Sequence, residues 1–369
     1  MSQPHIAIRH PVAAESSKLM SETFIKVGAA PVQAAAPKGL YAALAIAVVA
    51  ILVLPLFVRN QYVFDVLSHA GIFILFACGL NIVVGLAGLL DLGYIAFAAI
   101  GAYCAAFLAS PHFGIHLPFL AVIVVAGVTA AVFAVALGFP TLRLRGDYLS
   151  IVTLGFGEIV RIALLNGDWI TGGSDGIQSI DRPNIFGYQF TFKLESYFVL
   201  IGLFCVLGIG IGEFLRRGRL GVIWQALRDD ELAARSAGVN PLKYFLTAFA
   251  IGAVYAGVAG ALWAMKQISI SPDSFTVDQS ILVLAIVVLG GLSGRFLPVA
   301  ISALFVITMP EALRDFESYR MVIFGPILVL AIILRSRWDG GSLTGARKTP
   351  MWQRMRQLGR RRLQDQDAP

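Results

Sequence analysis

Apolar runs of about 15 to 25 residues follow one another from Leu40 to Leu334, separated by short polar or glycine-rich breaks. A helix rises 1.5 Å per residue, so runs of this length suit a hydrocarbon layer about 30 Å thick. Barrel strands would alternate apolar and polar positions over about ten residues, which these runs do not. Inside lipid the backbone must then be satisfied within helices, and the fold class is all-α, a polytopic membrane protein. The pattern predicts about ten spans (8–10): 40–58, 66–90, 92–109, 118–142, 148–165, 196–215, 244–266, 279–294, 296–309 and 320–334.

Only 14% of the residues are charged, against roughly 25% in a soluble domain, and 57% are hydrophobic. Few residues remain for a water-facing domain. The chain divides into an N-terminal segment 1–39, a transmembrane region 40–335 with a polar loop at 216–243, and a basic tail 336–369. The net charge of +7 is weighted to that end, in Arg335, Arg337, Arg347, Lys348, Arg354, Arg356, Arg360, Arg361 and Arg362. A basic stretch directly after a span reads as a topology signal before it reads as a nucleic-acid arm, which puts the tail in the cytoplasm. Counting back places Arg143, Arg145 and the 216–243 loop inside, and the acidic 166–195 and 269–278 loops outside. Even parity then leaves both termini cytoplasmic. The first apolar run ends at Arg59 and Asn60 without a small-residue cleavage site, so an uncleaved span is expected. Cys78, Cys104 and Cys205 lie inside apolar runs without CxxC spacing and read as small buried hydrophobes.

Two places strain the count. Almost no loop separates the spans around Gly93, and the pair flanking Arg295 is short. Non-helical backbone at membrane depth is tolerated where protein or a water-filled cavity covers it, so these breaks are candidates for a permeation pathway. Residues 82–88 read IVVGLAG and residues 286–294 read IVVLGGLSG. Coincidence in a chain rich in Gly, Ala, Val, Leu and Ile, or a trace of duplication, accounts for the likeness.

The chain has no GxxxxGK[ST] phosphate loop, so any ATP dependence must come from a partner. The segment 218–244, GRLGVIWQALRDDELAARSAGVNPLKY, is amphipathic and helix-prone. Ile223, Ala226, Leu227, Ala233, Ala234 and Ala237 supply an apolar, small-residue face; Arg228, Asp229, Asp230, Glu231 and Arg235 are expected to stay solvated; Gly238 and Pro241 end the helix. It reads either as a topology anchor or as a helix docking on a soluble partner. Glu158 and Arg161 stand inside a span, where a charge costs roughly 2.5 to 3.5 kcal/mol unless paired or wet. Their i, i+3 spacing allows pairing on one helix face, whether as a structural pair or as a polar wall of the pathway.

The spacing A-A-x-x-x-G at Ala233, Ala234 and Gly238 resembles the coupling motif of ABC importer permeases, although Leu232 stands where that motif has Glu and its trailing Ile-x-Leu-Pro is missing. NIVVGLAGLLDLGYIAFAAIGAY (81–103), LRGDYLSIVTLGFGEIVRIALLN (144–166), ITGGSDGI (170–177) and SFTVDQSILVLAIVVLGGLSG (274–294), with RDDELAARSAG and PEALRDFESYRMVIFG, resemble the LivM-type permease of branched-chain amino-acid ABC importers. The resemblance spans residues 81–334. It implies a permease of the bacterial inner membrane that pairs with a second homologous permease, two ATPase subunits and an external substrate-binding protein. ATP and Mg would then sit on the partner ATPase subunits, and no cofactor is expected on this chain.

On that footing Arg228, Asp229, Asp230, Glu231, Ala233, Ala234 and Gly238 are the expected ATPase-coupling residues, with Gly238→Trp as a probe. Asn81, Gly85, Gly88, Asp91, Glu158 and Arg161 are pathway candidates, with span-end caps or turns the plainer alternative for Asn81 and Asp91. Thr171, Gly172, Gly173 and Asp175 form an external turn or a docking loop for the binding protein. A same-branch permease for urea or short amides is the alternative substrate reading. An ion-coupled carrier would carry conspicuous membrane carboxylates and an inverted repeat; Glu158 already has a neighbouring counter-charge in Arg161, and no inverted repeat is evident. His5, His10, His69, His112 and His116 are scattered, and no nucleophile or metal constellation forms.

Overall fold

The computed structural model describes residues 38–58, 60–111, 113–142, 144, 146–185, 188–189 and 194–314, with a few positions up to 333. Residues 1–37, Arg143, Arg145, the basic tail and most of the 320–334 run lie outside the described residues.

Helix α1 (Lys38–Phe57) precedes α2 (Gln61–Leu80), whose start is capped by the Asn60 side chain accepting from the Tyr62 amide at 3.0 Å. A π turn, Asn81–Leu86, extends α2 before the chain breaks. Then follow α3 (Ile95–Leu108), α4 (Phe119–Thr141), α5 (Asp147–Leu165), the short α6 (Asp168–Thr171) and α7 (Leu194–Arg217). Two short helices, α8 (Arg219–Asp229) and α9 (Glu231–Ser236), form a hairpin. The long α10 (Pro241–Gln267) opens with proline at its first position and Asn240 as cap, and α11 (Val277–Gly290) and α12 (Phe296–Ala312) complete the bundle. Among the described residues, six helical stretches are long and apolar enough to cross a membrane, and 42–57, 95–108 and 296–312 are shorter apolar helices. Of the tenth expected span, 320–334, only positions 325, 326, 329, 330 and 333 are described.

The loops expected outside carry two-residue strands. β1 (Ala109–Ser110) pairs with β2 (Ile115–His116), β3 (Ile177–Gln178) with β6 (Ser269–Ile270), and β4 (Asn184–Ile185) with β5 (Tyr188–Gln189), all antiparallel. The β3–β6 pair ties the loop after α5 to the loop after α10.

Helix α10 is the centre, packing on α4, α3 and α2, and its small residues explain how. A methyl carbon at Gly101 of α3 would lie 2.3 Å from the Gly257 Cα, and one at Gly260 would lie 2.1 Å from the Ala98 carbonyl oxygen. One at Gly257 would lie 2.7 Å from the Ala126 oxygen of α4, and one at Gly79 of α2 would lie 2.8 Å from the Gly252 oxygen. Backbones in contact at these points give the van der Waals packing that holds helices together where lipid offers no hydrophobic drive between them. Around the contacts pack Phe73, Phe76, Phe249, Leu262 and Trp263, all buried. The Tyr255 hydroxyl donates to the Gly208 carbonyl at 2.7 Å and holds α7 against α10.

This packing predicts that Gly101→Val costs more than the roughly 1–3 kcal/mol of ordinary overpacking, because the colliding atoms are backbone. Gly155→Ala on α5 meets nothing within 4 Å and should change stability by no more than about 0.5 kcal/mol. Thermal unfolding of the detergent-solubilised protein, followed by size-exclusion chromatography, separates the two variants.

Candidate functional site

Two helices end in glycine-rich breaks, and the structure brings those ends together. The α2 break runs from Ala87 to Tyr94. It is built from specific hydrogen bonds, not left as loose loop: Asp91 Oδ1 accepts from the Gly93 amide at 2.9 Å, and Thr153 Oγ1 of α5 accepts from the Leu92 amide at 3.1 Å. Ser150 Oγ donates to the Leu90 carbonyl at 3.2 Å, Ser280 Oγ accepts from the Ile95 amide at 3.2 Å, and the Tyr94 hydroxyl donates to the Gly252 carbonyl at 2.9 Å. Only glycine fits at position 93, since a methyl carbon there would lie 1.9 Å from the Thr153 oxygen. Asp91 is therefore a turn-forming residue, buried at 1% exposure, and its Oδ2 meets no donor.

The second break, Gly291–Arg295, separates α11 from α12. Asn81 is fully buried and donates through Nδ2 to the Arg295 carbonyl at 3.3 Å, while its Oδ1 has no partner. That oxygen fills the space where Gly85 would carry a side chain, and a methyl carbon at Gly85 would lie 3.3 Å from the Gly294 Cα. The two similar strings thus meet in space, which the sequence comparison of one with the other did not reveal.

The α8–α9 hairpin sits against these ends. Trp224, fully buried, anchors it and donates from Nε1 to the Tyr244 carbonyl at 2.8 Å. Gly221, Leu227 and Ala234 are buried beside it. Of the expected apolar face, Ala226, Ala233 and Ala237 are instead exposed, because the hairpin turns at Asp230 and no single straight helix runs through the segment. Asp230 caps α9, its side chain accepting from the Ala233 amide at 3.0 Å. Glu231 pairs with Arg235 at 3.1 Å, Asp229 is exposed, and Leu232 is 72% exposed. Gly238 takes φ +86° as a helix terminator, so Gly238→Trp would strain the backbone and is a poor probe of docking. Arg228 is not simply solvated: its Nη1 donates to the carbonyls of Gly85 and Leu292. Its stem crosses Gly88 (φ +75°), where a methyl carbon would lie 2.6 Å from Arg228 Cγ. Gly88 thus faces a residue of the hairpin.

Glu158 and Arg161 do pair, Nη2 to Oε1 at 2.6 Å, and Arg161 also reaches Asp273 at 3.4 Å. The pair lies on α5 with side chains 36% and 24% exposed, just past Gly157, where a methyl carbon would lie 3.3 Å from the Gly93 Cα of the α2 break. Thr171 is buried and donates to the Leu164 carbonyl at 2.6 Å; Gly172 and Gly173 take positive φ in the turn, and Asp175 is exposed. Of the external group, only Asp175 presents its side chain outward. Sequence reading passed over Trp224 and Glu213. Glu213 is a buried carboxylate of α7 paired with Arg216 at 2.5 Å and Arg217 at 2.7 Å. Its signal was the Glu-x-x-Arg-Arg spacing.

Trp224 supplies a prediction. Trp224→Phe should cost about 1 kcal/mol, since the Tyr244 carbonyl still accepts from Thr247. Trp224→Ala should cost about 3–5 kcal/mol and expose the hairpin to limited proteolysis at sites within 219–240.

Residues 62–332 match the family model described as branched-chain amino acid transport system / permease component. The chain is 44% identical over 312 residues to the high-affinity branched-chain amino acid transport system permease protein LivM of Escherichia coli (strain K12), covering 78% of this chain and 72% of that protein. It is 27% identical over 213 residues to the probable LivM permease of Methanocaldococcus jannaschii, covering 58% and 60% of the two chains. It is 26% identical over 192 residues to the LivH permease of Salmonella typhimurium, covering 51% and 57%. No solved structure matches the chain.

Proposed function

Because the chain belongs to the branched-chain amino acid transport system permease family, we propose that it is the membrane permease subunit of an importer that carries branched-chain amino acids inward. It is a transport subunit and not a catalytic enzyme. The observation that carries the reading is the 44% identity to a LivM permease across most of both chains. Residues 62–332, which match the family model, hold both glycine breaks and the hairpin between them.

In this reading both termini are cytoplasmic, the chain lies in the bacterial inner membrane, and the α8–α9 hairpin faces the cytoplasm. Two ATPase subunits carry ATP and Mg and dock on the exposed hairpin surface of Leu232, Ala233 and Arg235. A second homologous permease completes the pathway, and a binding protein delivers substrate at the opposite face, where Asp175 is exposed. Closure of the ATPase dimer displaces the hairpin and switches access from one side to the other. The apolar spans suit side chains such as those of leucine, isoleucine and valine.

The test is uptake of radiolabelled leucine into proteoliposomes holding this chain, the partner permease, both ATPase subunits and the binding protein. Uptake should require ATP and vanish when the ATPase is omitted; uptake by this chain alone on an ion gradient would sink the reading. Ala233→Trp adds bulk at an exposed helical position, so it should abolish co-purification of the ATPase while leaving the thermal stability of the chain unchanged.

A further inference from the structure

One side chain touches the hairpin, the first break and the second. Arg228 starts from the last turn of α8, passes its stem over Gly88 and ends with Nη1 donating to the carbonyls of Gly85 and Leu292. Gly85 belongs to the last turn of the extended α2, and Leu292 lies just past the end of α11 at Gly290. Carbonyls at such positions lack partners within their own helix, and each helix C-terminus carries about half a negative charge. A guanidinium between two of them is both a hydrogen-bond donor and a counter-charge. A residue acting only as a topology anchor needs neither acceptor.

We propose that Arg228 is a positioning residue that couples the α8–α9 hairpin to both broken helix ends at once, so that one displacement of the hairpin moves the two breaks together. The inference rests on the reading of the hairpin as the receiver of ATPase motion. The breaks are already in contact through Asn81 with the Arg295 carbonyl and through Gly85 with Gly294, so a pull on one shared cation is felt by a joined pair. Lysine does not reproduce the arrangement, since its ammonium ends a different stem and lacks the planar fork.

The test uses the assembled transporter with a single reporter, Leu90→Cys in the first break or Ser293→Cys in the second, both positions being exposed. Labelling by a membrane-impermeant maleimide is followed without nucleotide and in the ATP-trapped state. With Arg228 present, both reporters should change rate between the states by about fivefold or more, the lower range of a usual coupling. In Arg228→Gln the change should disappear at both reporters while the ATPase subunits still co-purify. An unaltered response in Arg228→Gln, or a response lost at one break only, would overturn the link. Loss of the ATPase from Arg228→Gln would also overturn it, by making the side chain a docking contact. Failure of the ATPase to co-purify with the chain carrying Arg228 would instead remove the importer reading beneath it.

Discussion

Backbone contact along α10 is the constraint from which the rest of the bundle follows. Lipid is as apolar as leucine, so helices gain little by hiding leucine from it, and association must come from close packing. Gly252, Gly257 and Gly260 let α2, α3 and α4 approach one helix until main-chain atoms touch. Such contacts tolerate little sliding, because no flexible side chain stands between the backbones to absorb it. The centre of the protein is therefore stiff, and the glycine-rich ends of α2 and α11 are where its helices are interrupted.

Interrupting a helix inside an apolar bundle exposes carbonyls and amides that must find partners. Here the partners come from elsewhere in the chain: Thr153 and Ser150 from α5, Ser280 from α11, Tyr94 toward α10, and Arg228 from the hairpin. Together these bonds fix the break between α2 and α3 to four other helices, α5, α8, α10 and α11. Junctions of this kind are also where small polar residues appear in an apolar sequence, and they need not line any pathway. Asn81 and Asp91 bond backbone groups at a helix end and in a turn, and Gly85 makes room for the Asn81 oxygen.

The apolar periodicity made the long helices legible, and the order and approximate ends of α1–α5, α7 and α10–α12 agree with it. The glycine breaks were legible as breaks because two apolar runs with no loop between them leave no other solution. What the breaks touch was not legible. Their contact depends on how α2 and α12 pack, and no local pattern encodes a partner some 200 residues away in sequence. The hairpin shows the same limit from the other side. Amphipathic spacing located it, but one continuous helical face was the wrong projection, since Asp230 starts a second helix and turns Ala226, Ala233 and Ala237 outward. Trp224 escaped notice because an aromatic in a charged loop carries no period, and only the buried Tyr244 carbonyl explains it.

A mover and a moved part need opposite mechanical properties, and the two regions divide them. The α10 contacts are apolar, close and without alternatives. The breaks instead hold polar atoms with incomplete satisfaction, Asn81 Oδ1 and Asp91 Oδ2, buried yet without donors. In the proposed reading the stiff helix is the frame against which the breaks change, and Arg228, bonded to carbonyls at both, links the hairpin to them.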